Sequence, residues 1–460
     1  MKKNIVKAAS ISLGIITAMA SFGACGEKRG VGSNGKALEI TVINKGLGYE
    51  WVEEIANLYS AEVGTYIEVI PDSNLDEGIV SKINNNPSDI YFTYNNAVQW
   101  VQWALTDKIV ALDDVIEDSA FRTEEVAALG KYEGTRYTVP FPYSPTGFVY
   151  NQVLLDQINS YGEYEKGVFP TTWQGLLDLC VATKNAELKS AYGNTIVPMA
   201  AAGGVQDLNY IFKALWGQHD DTGFKAYYSQ NDPENYDKNL LVNDGTVAAM
   251  TAIQELLGEN GSNNFDNWMS KDNLQAQDYF CNGNAVFCVT GSWFANEQAS
   301  LLAEIPETEL DYHFATVPVV EGKQSTSFIN LPGEYFMVTE NGVNGDVEEA
   351  KNFLKYILKE ENLKKIQSIL QVPLAFNYST EGVELTTWGK ELDAVAKNTR
   401  GVISGTNTPV CLSGALDFNL YLSYQCAAVA KNTVTPQEAM TAIYDTLKVE
   451  YKETARKFFS

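Results

Sequence analysis

The chain has 460 residues and a formal charge of −25, from 58 acidic against 33 basic side chains. So acidic a molecule repels phosphate backbones, which argues against nucleic acid as a partner and disfavours polyanionic ligands. With only His219 and His313 in the sequence, a histidine-based metal centre or a histidine-assisted nucleophile lacks its raw material.

The first elements concern targeting. Lys2, Lys3 and Lys7 lead into an apolar run from Ala8 to Ala20, followed by Ser21-Phe22-Gly23-Ala24-Cys25. A basic start, a short apolar core and small residues before a cleavage point predict a signal peptide over residues 1–24. Cys25 after Gly-Ala resembles a bacterial lipobox, in which the cysteine is lipidated and becomes the mature N-terminus. Phe22 departs from that pattern, which usually has Leu, Val or Ala there. The expectation is a body on the outer face of the cell membrane, held by a lipid anchor. No later stretch approaches the ~18 uninterrupted apolar residues of a spanning helix. Residues 25–36 are glycine-rich and polar and read as a flexible tether. Within them, Gly30 to Lys36 nearly spells a phosphate-binding loop. Ala37 stands where Ser or Thr is needed, and no strand precedes the stretch.

Leu38–Ile43 is predicted as a strand, residues 50–63 as a helix with Trp51, Ile55, Leu58 and Tyr59 on one face, and Tyr66–Ile70 and Ile90–Tyr94 as further strands. Strands alternating with helices imply a mostly parallel, helix-covered sheet, whose ligands bind at the carboxyl ends of the strands. Asn44–Tyr49 and Tyr94-Asn95-Asn96 sit at two such ends. Gly46-Leu47-Gly48 follows a strand as a dinucleotide fingerprint would, but Trp51 occupies the third glycine position. Asp72 to Gly78 resembles a calcium loop with its glycine one residue late and Ile83 at the twelfth position.

Pro140, Pro142 and Pro145 stiffen the next segment, and Gly147–Asn151 reads as a crossing to a second lobe. Thr172 opens a helix, residues 205–300 are mainly helical, and a strand at 285–289 ends at Thr290-Gly291-Ser292-Trp293. Strands follow at 314–318 and 335–338. Asp346 to Glu349 and Thr435 to Glu438 open helices with capping boxes. Apart from Cys25, the cysteines read mostly as small buried residues, with a Cys281–Cys288 bridge left open. Neither a G-x-S-x-G elbow nor H-E-x-x-H occurs, and acid pairs such as Asp113-Asp114 and Asp220-Asp221 are adjacent, so they point apart.

Several segments, in order, resemble the carbohydrate-binding group of extracellular solute-binding proteins of ABC importers, which includes maltose-binding protein. They are Ile43-Asn44 with Gly48-Tyr49; Pro87 to Phe92; Gly147 to Asn151; Pro170 to Trp173; Phe280 to Val286 followed by Gly291-Ser292-Trp293; and Ala350 with Phe353 to Tyr356. The resemblance implies a two-lobed α/β fold of the type II periplasmic-binding-protein kind, each lobe a helix-flanked sheet, with a hinge and a ligand cleft between them. One lobe would comprise residues 37–145 and 330–371, the other 146–329 and 372–460.

Carried over by position, the resemblance implies that Trp293 stacks on a sugar. Asn44 and Tyr49 fall at the first ligand loop, and Tyr94, Asn95 and Asn96 at the third strand. Tyr143 falls at the hinge, and Glu334 and Tyr335 where the chain re-enters the first lobe. Asn419 falls at another stacking position without being aromatic, with Tyr421 as its replacement. The function implied is capture of a carbohydrate, an oligosaccharide given the 12% aromatic content, by lobe closure and delivery to ABC permease subunits. The protein would be a monomer with no cofactor, no metal and no catalysis. A peptide or polyamine ligand in the same fold, a glycoside hydrolase or lyase, and a sugar sensor or adhesin without transport are the competing readings.

Overall fold

A computed structural model describes residues 30–94, 97–203, 207–230, 236–331, 333–404 and 409–458. Thirteen strands are found among them: β1 (Ala37–Ile43), β2 (Tyr66–Asp72), β3 (Ile90–Tyr94), β4 (Lys131–Tyr132), β5 (Thr135–Arg136), β6 (Val139–Pro140), β7 (Ser144–Asn151), β8 (Val197–Ala200), β9 (Ala285–Gly291), β10 (Tyr312–Ala315), β11 (Thr326–Asn330), β12 (Glu334–Val338) and β13 (Arg400–Val402). They form two principal sheets. The first has the order β2-β1-β3-β12-β6, and the second β13-β11-β7-β9-β8 with β10 also paired to β7. β1, β2 and β3 run parallel, with β12 antiparallel to β3 so that Glu334 faces Tyr94. In the second sheet β8 and β9 run parallel and β7 antiparallel to β9.

In the first sheet β1, β3 and β12 are almost wholly buried because helices cover them. The Glu50–Val63 helix lays Trp51, Ile55 and Tyr59 on the core. Trp51 stacks on Phe141 at 5.0 Å and meets Phe92 and Phe336 edge-on. The far end of this sheet is tied by Asp89. Its carboxylate accepts from the amides of Glu39 (2.8 Å) and Asn344 (2.9 Å) and from Asn344 Nδ2 (2.8 Å). The Pro87–Phe92 motif is therefore partly architectural: one carboxylate closes a loop 255 residues downstream in sequence onto β1.

The capping boxes divide. Thr435 and Glu438 cap each other reciprocally. At Asp346 only half of the box forms: its side chain accepts from the Glu349 amide (3.0 Å), but the Glu349 carboxylate turns away. It accepts instead from Lys36 Nζ (2.8 Å), Tyr59 (2.8 Å) and Thr65 (2.5 Å). Three charge-assisted bonds outcompete one backbone amide. They also anchor the segment read as tether. Residues 32–36 form a turn, Gly32 N–H to Lys36 O at 2.9 Å, with Asn34 Nδ2 on Thr65 (2.8 Å).

In the second sheet's body the long helices carry much of the aromatic content. Trp216 of the Asp207–His219 helix packs on Phe224 and Tyr227, and Tyr236 stacks on Tyr444. Cys180, Cys281, Cys288 and Cys426 are buried free thiols, so Cys281 and Cys288 do not bridge. Among the described residues no helix is long and apolar enough to cross a membrane.

The chain passes between the sheets at three neighbouring places. Phe141 N–H bonds to Glu334 O, Ala375 N–H to Phe141 O, and Tyr143 N–H to Pro373 O. Helices from the two sides also meet: Lys225 lies 3.8 Å from Glu125, and the Ala97–Leu105 helix approaches the Pro409–Ala430 helix.

Replacing Glu349 with Ala removes the acceptor of two buried hydroxyls, Tyr59 and Thr65, at a helix position that alanine suits. A loss of about 2–3 kcal/mol is expected in urea unfolding. An unchanged midpoint would mean that the knot does not hold this corner.

Candidate functional site

The carboxyl ends of β1, β3 and β9 and the first residue of β12 converge between the two sheets. Glu334 opens β12 and is 6% exposed. Across it the chain must pass very close. Gly46 has a φ of +58°, and a Cβ there would sit 2.9 Å from Glu334 Oε1 and 3.2 Å from the Tyr94 hydroxyl. Only glycine offers both this dihedral and this clearance. The turn after β1 thus closes directly onto Glu334 and Tyr94.

The second sheet supplies the opposite wall. Trp293, half-buried, follows β9, and a Cβ on Gly291 would strike its ring at 2.3 Å. Glycine at this strand end lets the indole lie back over the backbone. The indole meets Tyr210 of the Asp207–His219 helix in a T-shaped contact at 5.5 Å, and Tyr210 in turn stacks on Phe328 at 5.9 Å. Glu297 ends the Phe294–Glu297 helix, one turn after Trp293. It accepts from Gln277 Nε2 (2.9 Å), itself bonded to Thr290 (3.1 Å). Asp207 accepts from the Ala202 amide (2.7 Å) at the end of β8.

The electrostatics of this space are uniformly negative. Burial, then the Glu297 charge, pushes the Glu334 carboxyl up to about 8. Burial raises Glu297 to about 7 against the opposing Gln277 bond. Asp207 is raised to about 7 by burial, partly offset by the Ala202 amide. The hydroxyls of Tyr94 and Tyr210 are pushed far up by burial and by the same acids.

The expected site residues divide. Tyr94, Trp293 and Glu334 come together here with Gly46. Tyr49 is half-buried beside them in sequence, preceding the Glu50–Val63 helix. Asn44 is exposed, its amide on Asp72 O (3.1 Å). Tyr143 is buried under Arg122, whose guanidinium lies 5.2 Å from its ring. Tyr335 lies inside the first sheet at 1% exposure. The Tyr421 hydroxyl donates to Glu450 (2.7 Å) in the seam between the last two helices. Asn419 is half-buried on the first of those helices. Asn95, Asn96 and Cys25 lie outside the described residues. Sequence reasoning missed Asp207, Tyr210 and Glu297. The first two follow the carboxyl end of β8, where the strand-end rule points, and Glu297 is one turn from Trp293. Of the calcium-like loop, Asp72 pairs with Lys82 (3.2 Å) and Asp76 with Lys45 (3.0 Å).

The bacterial extracellular solute-binding protein model matches residues 54–380. The chain belongs to that family. Its fold is shared by solved two-lobed proteins of low sequence identity. One, described under xylan utilization by the thermophilic bacterium Caldanaerobius polysaccharolyticus, is 16% identical with a TM-score of 0.65, over 89% of this chain and 99% of that one. A chitin oligosaccharide binding protein is 16% identical with a TM-score of 0.66, over 91% and 99%. The bacterial solute receptor AcbH, described as preferring β-D-galactopyranose exclusively, is 14% identical with a TM-score of 0.66, over 92% and 100%. No curated protein matches the sequence. In this solute-binding protein the cleft between the lobes is where the geometry concentrates polar and aromatic groups.

Because Glu334 holds a proton in the folded state that the unfolded chain releases near 4.5, stability falls as pH rises from about 4.5 to about 8. Glu334→Gln removes the Glu334 share of that slope. Its melting temperature should match the wild type near pH 5 and exceed it increasingly towards pH 8.5. A pH-independent difference between the two would contradict the assignment.

Proposed function

We propose that the protein captures a carbohydrate between its lobes and hands it to the permease of an ABC importer. The observation that carries this reading is the Trp293–Tyr210 ring pair of the second sheet beside Glu334 and Tyr94 of the first, near enough that Glu334 and Tyr210 both act on the Tyr94 hydroxyl. A pyranose offers an apolar C–H face and a rim of hydroxyls. Aromatic rings take the first, and carboxyl and phenol groups take the second. The descriptions of the three structural relatives all name carbohydrates, namely xylan, chitin oligosaccharide and galactopyranose, and support the same class.

In this reading the lobes are residues 37–145 with 330–371, and 146–329 with 372–460, and the three crossings beside Phe141 form the hinge. Ligand stabilises the closed arrangement by its differential affinity for it. The permease then recognises the closed form, and no bond is made or broken. The protein works outside the cytoplasm, as its family does, and Cys25 anchors it by lipid to the membrane's outer face. It acts as a monomer.

A panel of saccharides, peptides and polyamines tested by thermal melting decides the class. A ligand at ~100 times its Kd adds about 2.7 kcal/mol of stability. A shift with saccharides that disappears in Trp293→Ala is the expected result. A shift with peptides alone would overturn the reading.

A further inference from the structure

We propose that the first lobe sits on the membrane, with the exposed edge formed by Val31, Val63 and Tyr66 resting on the lipid headgroups. The inference rests on the lipid anchor at Cys25 proposed above. Its starting point is that much of the segment whose composition reads as a tether is built into the lobe.

Residues 32–36 close on themselves through Gly32 N–H to Lys36 O (2.9 Å) and Gly35 N–H to Gly32 O (3.0 Å). They are also bonded to the end of the Glu50–Val63 helix and the start of β2. Asn34 N–H donates to Gly64 O (3.3 Å), Asn34 Nδ2 to Val63 O (3.3 Å) and to Thr65 (2.8 Å), and Tyr66 N–H to Lys36 O (3.1 Å). Lys36 Nζ completes the seat on Glu349 (2.8 Å) and Asp346 (3.2 Å). Two glycines make the fit possible. A Cβ on Gly32 would lie 1.9 Å from Gly64 O, and one on Gly64, where φ is +89°, would lie 2.5 Å from Ser33 Oγ. Gly30 lies against the Tyr66 ring, which a Cβ there would meet at 2.8 Å.

The free link is therefore short. From Cys25 to Gly30 the chain runs five residues, at most about 18 Å when fully extended. A compact chain of this length has a radius of gyration of about 22 Å. A leash shorter than that radius restricts which edge of the body can face the bilayer.

The edge at the end of the link has the chemistry for that place. Val31 is 64% exposed, and Val63 and Tyr66 are each 40% exposed. All three flank the docked turn. A tyrosine, with an apolar body and a polar tip, suits the headgroup level. The link carries Lys28 and Arg29 against Glu27, a positive stretch in an acidic chain, and headgroup phosphates attract it. Of the acids beside this edge, Glu62 is held by Tyr356 (3.0 Å) and Lys359 (3.6 Å), and Asp346 and Glu349 by Lys36. The position also keeps the binding site clear. Ala37 pairs with Tyr66 at the amino ends of β1 and β2, whereas the cleft lies at carboxyl ends. A strand of this length puts about 20 Å between the two.

Quenching of a fluorophore by a nitroxide on the lipid headgroup, which acts only at short range, tests the proposal. The full chain, produced in bacteria so that Cys25 can be lipidated, is reconstituted in phosphatidylcholine vesicles. The label goes on Val63→Cys or, at the other end of β2, on the exposed Asn74→Cys. The described native thiols are buried, and the labelled parent protein gives the background. The protein is expected to float with the vesicles, with the Val63 label quenched severalfold more than the Asn74 label. Gly32→Val, which drives a side chain into the Gly64 carbonyl, should abolish that excess without preventing flotation. Melting curves establish that this variant is folded, and the comparison of the two labels stands without it. Protein that does not float would overturn the anchor and the seat with it. Protein that floats with both labels equally quenched would overturn the seat and leave the anchor standing. An excess that survives Gly32→Val would overturn the role given to the docked turn.

Discussion

Glu334 opens β12 with its carboxyl more than nine-tenths buried, and that burial, with the Glu297 charge adding to it, favours the protonated form. A carboxylate taken out of water without a counter-charge is costlier than its protonated form. Around this constraint the rest of the cleft makes sense. Gly46 yields its side chain so that the turn after β1 can close on Glu334. Gln277 fixes Glu297. The tyrosines nearby stay neutral phenols, offering hydrogen bonds without further charge.

The same constraint gives the hinge its purpose. Among the described residues, short segments run side by side between the sheets at Phe141, Tyr143, Glu334 and Ala375. Such a connection permits rotation while leaving each sheet intact. The closing contacts are modest: an exposed Lys225–Glu125 pair at 3.8 Å is worth little in water. In the proposed capture, closure would draw its free energy from what fills the cleft. A weakly favoured closed state is what a carrier needs, since it must release as well as bind.

Much of the fold was legible because it rests on local signals. The strand at Leu38–Ile43 and the helix after it differ from the structure by a residue at most, since alternating apolar runs and amphipathic spacing are chain-local properties. Gly291-Ser292-Trp293 was legible for a physical reason too: a strand end needs a glycine where an indole folds back over it. What depends on long-range partners was not. Glu349 caps nothing with its carboxylate because Thr65 and Tyr59 arrive from far away in sequence. Tyr335 and Tyr421 have the composition of sugar-stacking residues, yet one lies within a sheet and the other in a helix seam. Glu297 sits on a single helical turn and looks like any solvated acid until Trp293 and Gln277 place it. The abundant tyrosines split between cleft and core, so their number carries little about ligand length.

Small-angle X-ray scattering with and without a saturating bound solute tests the central claim most directly, namely that filling the cleft draws the lobes together. The account predicts that the radius of gyration falls on binding, to the value of the structure in which Lys225 meets Glu125. Binding that leaves the radius unchanged would contradict it.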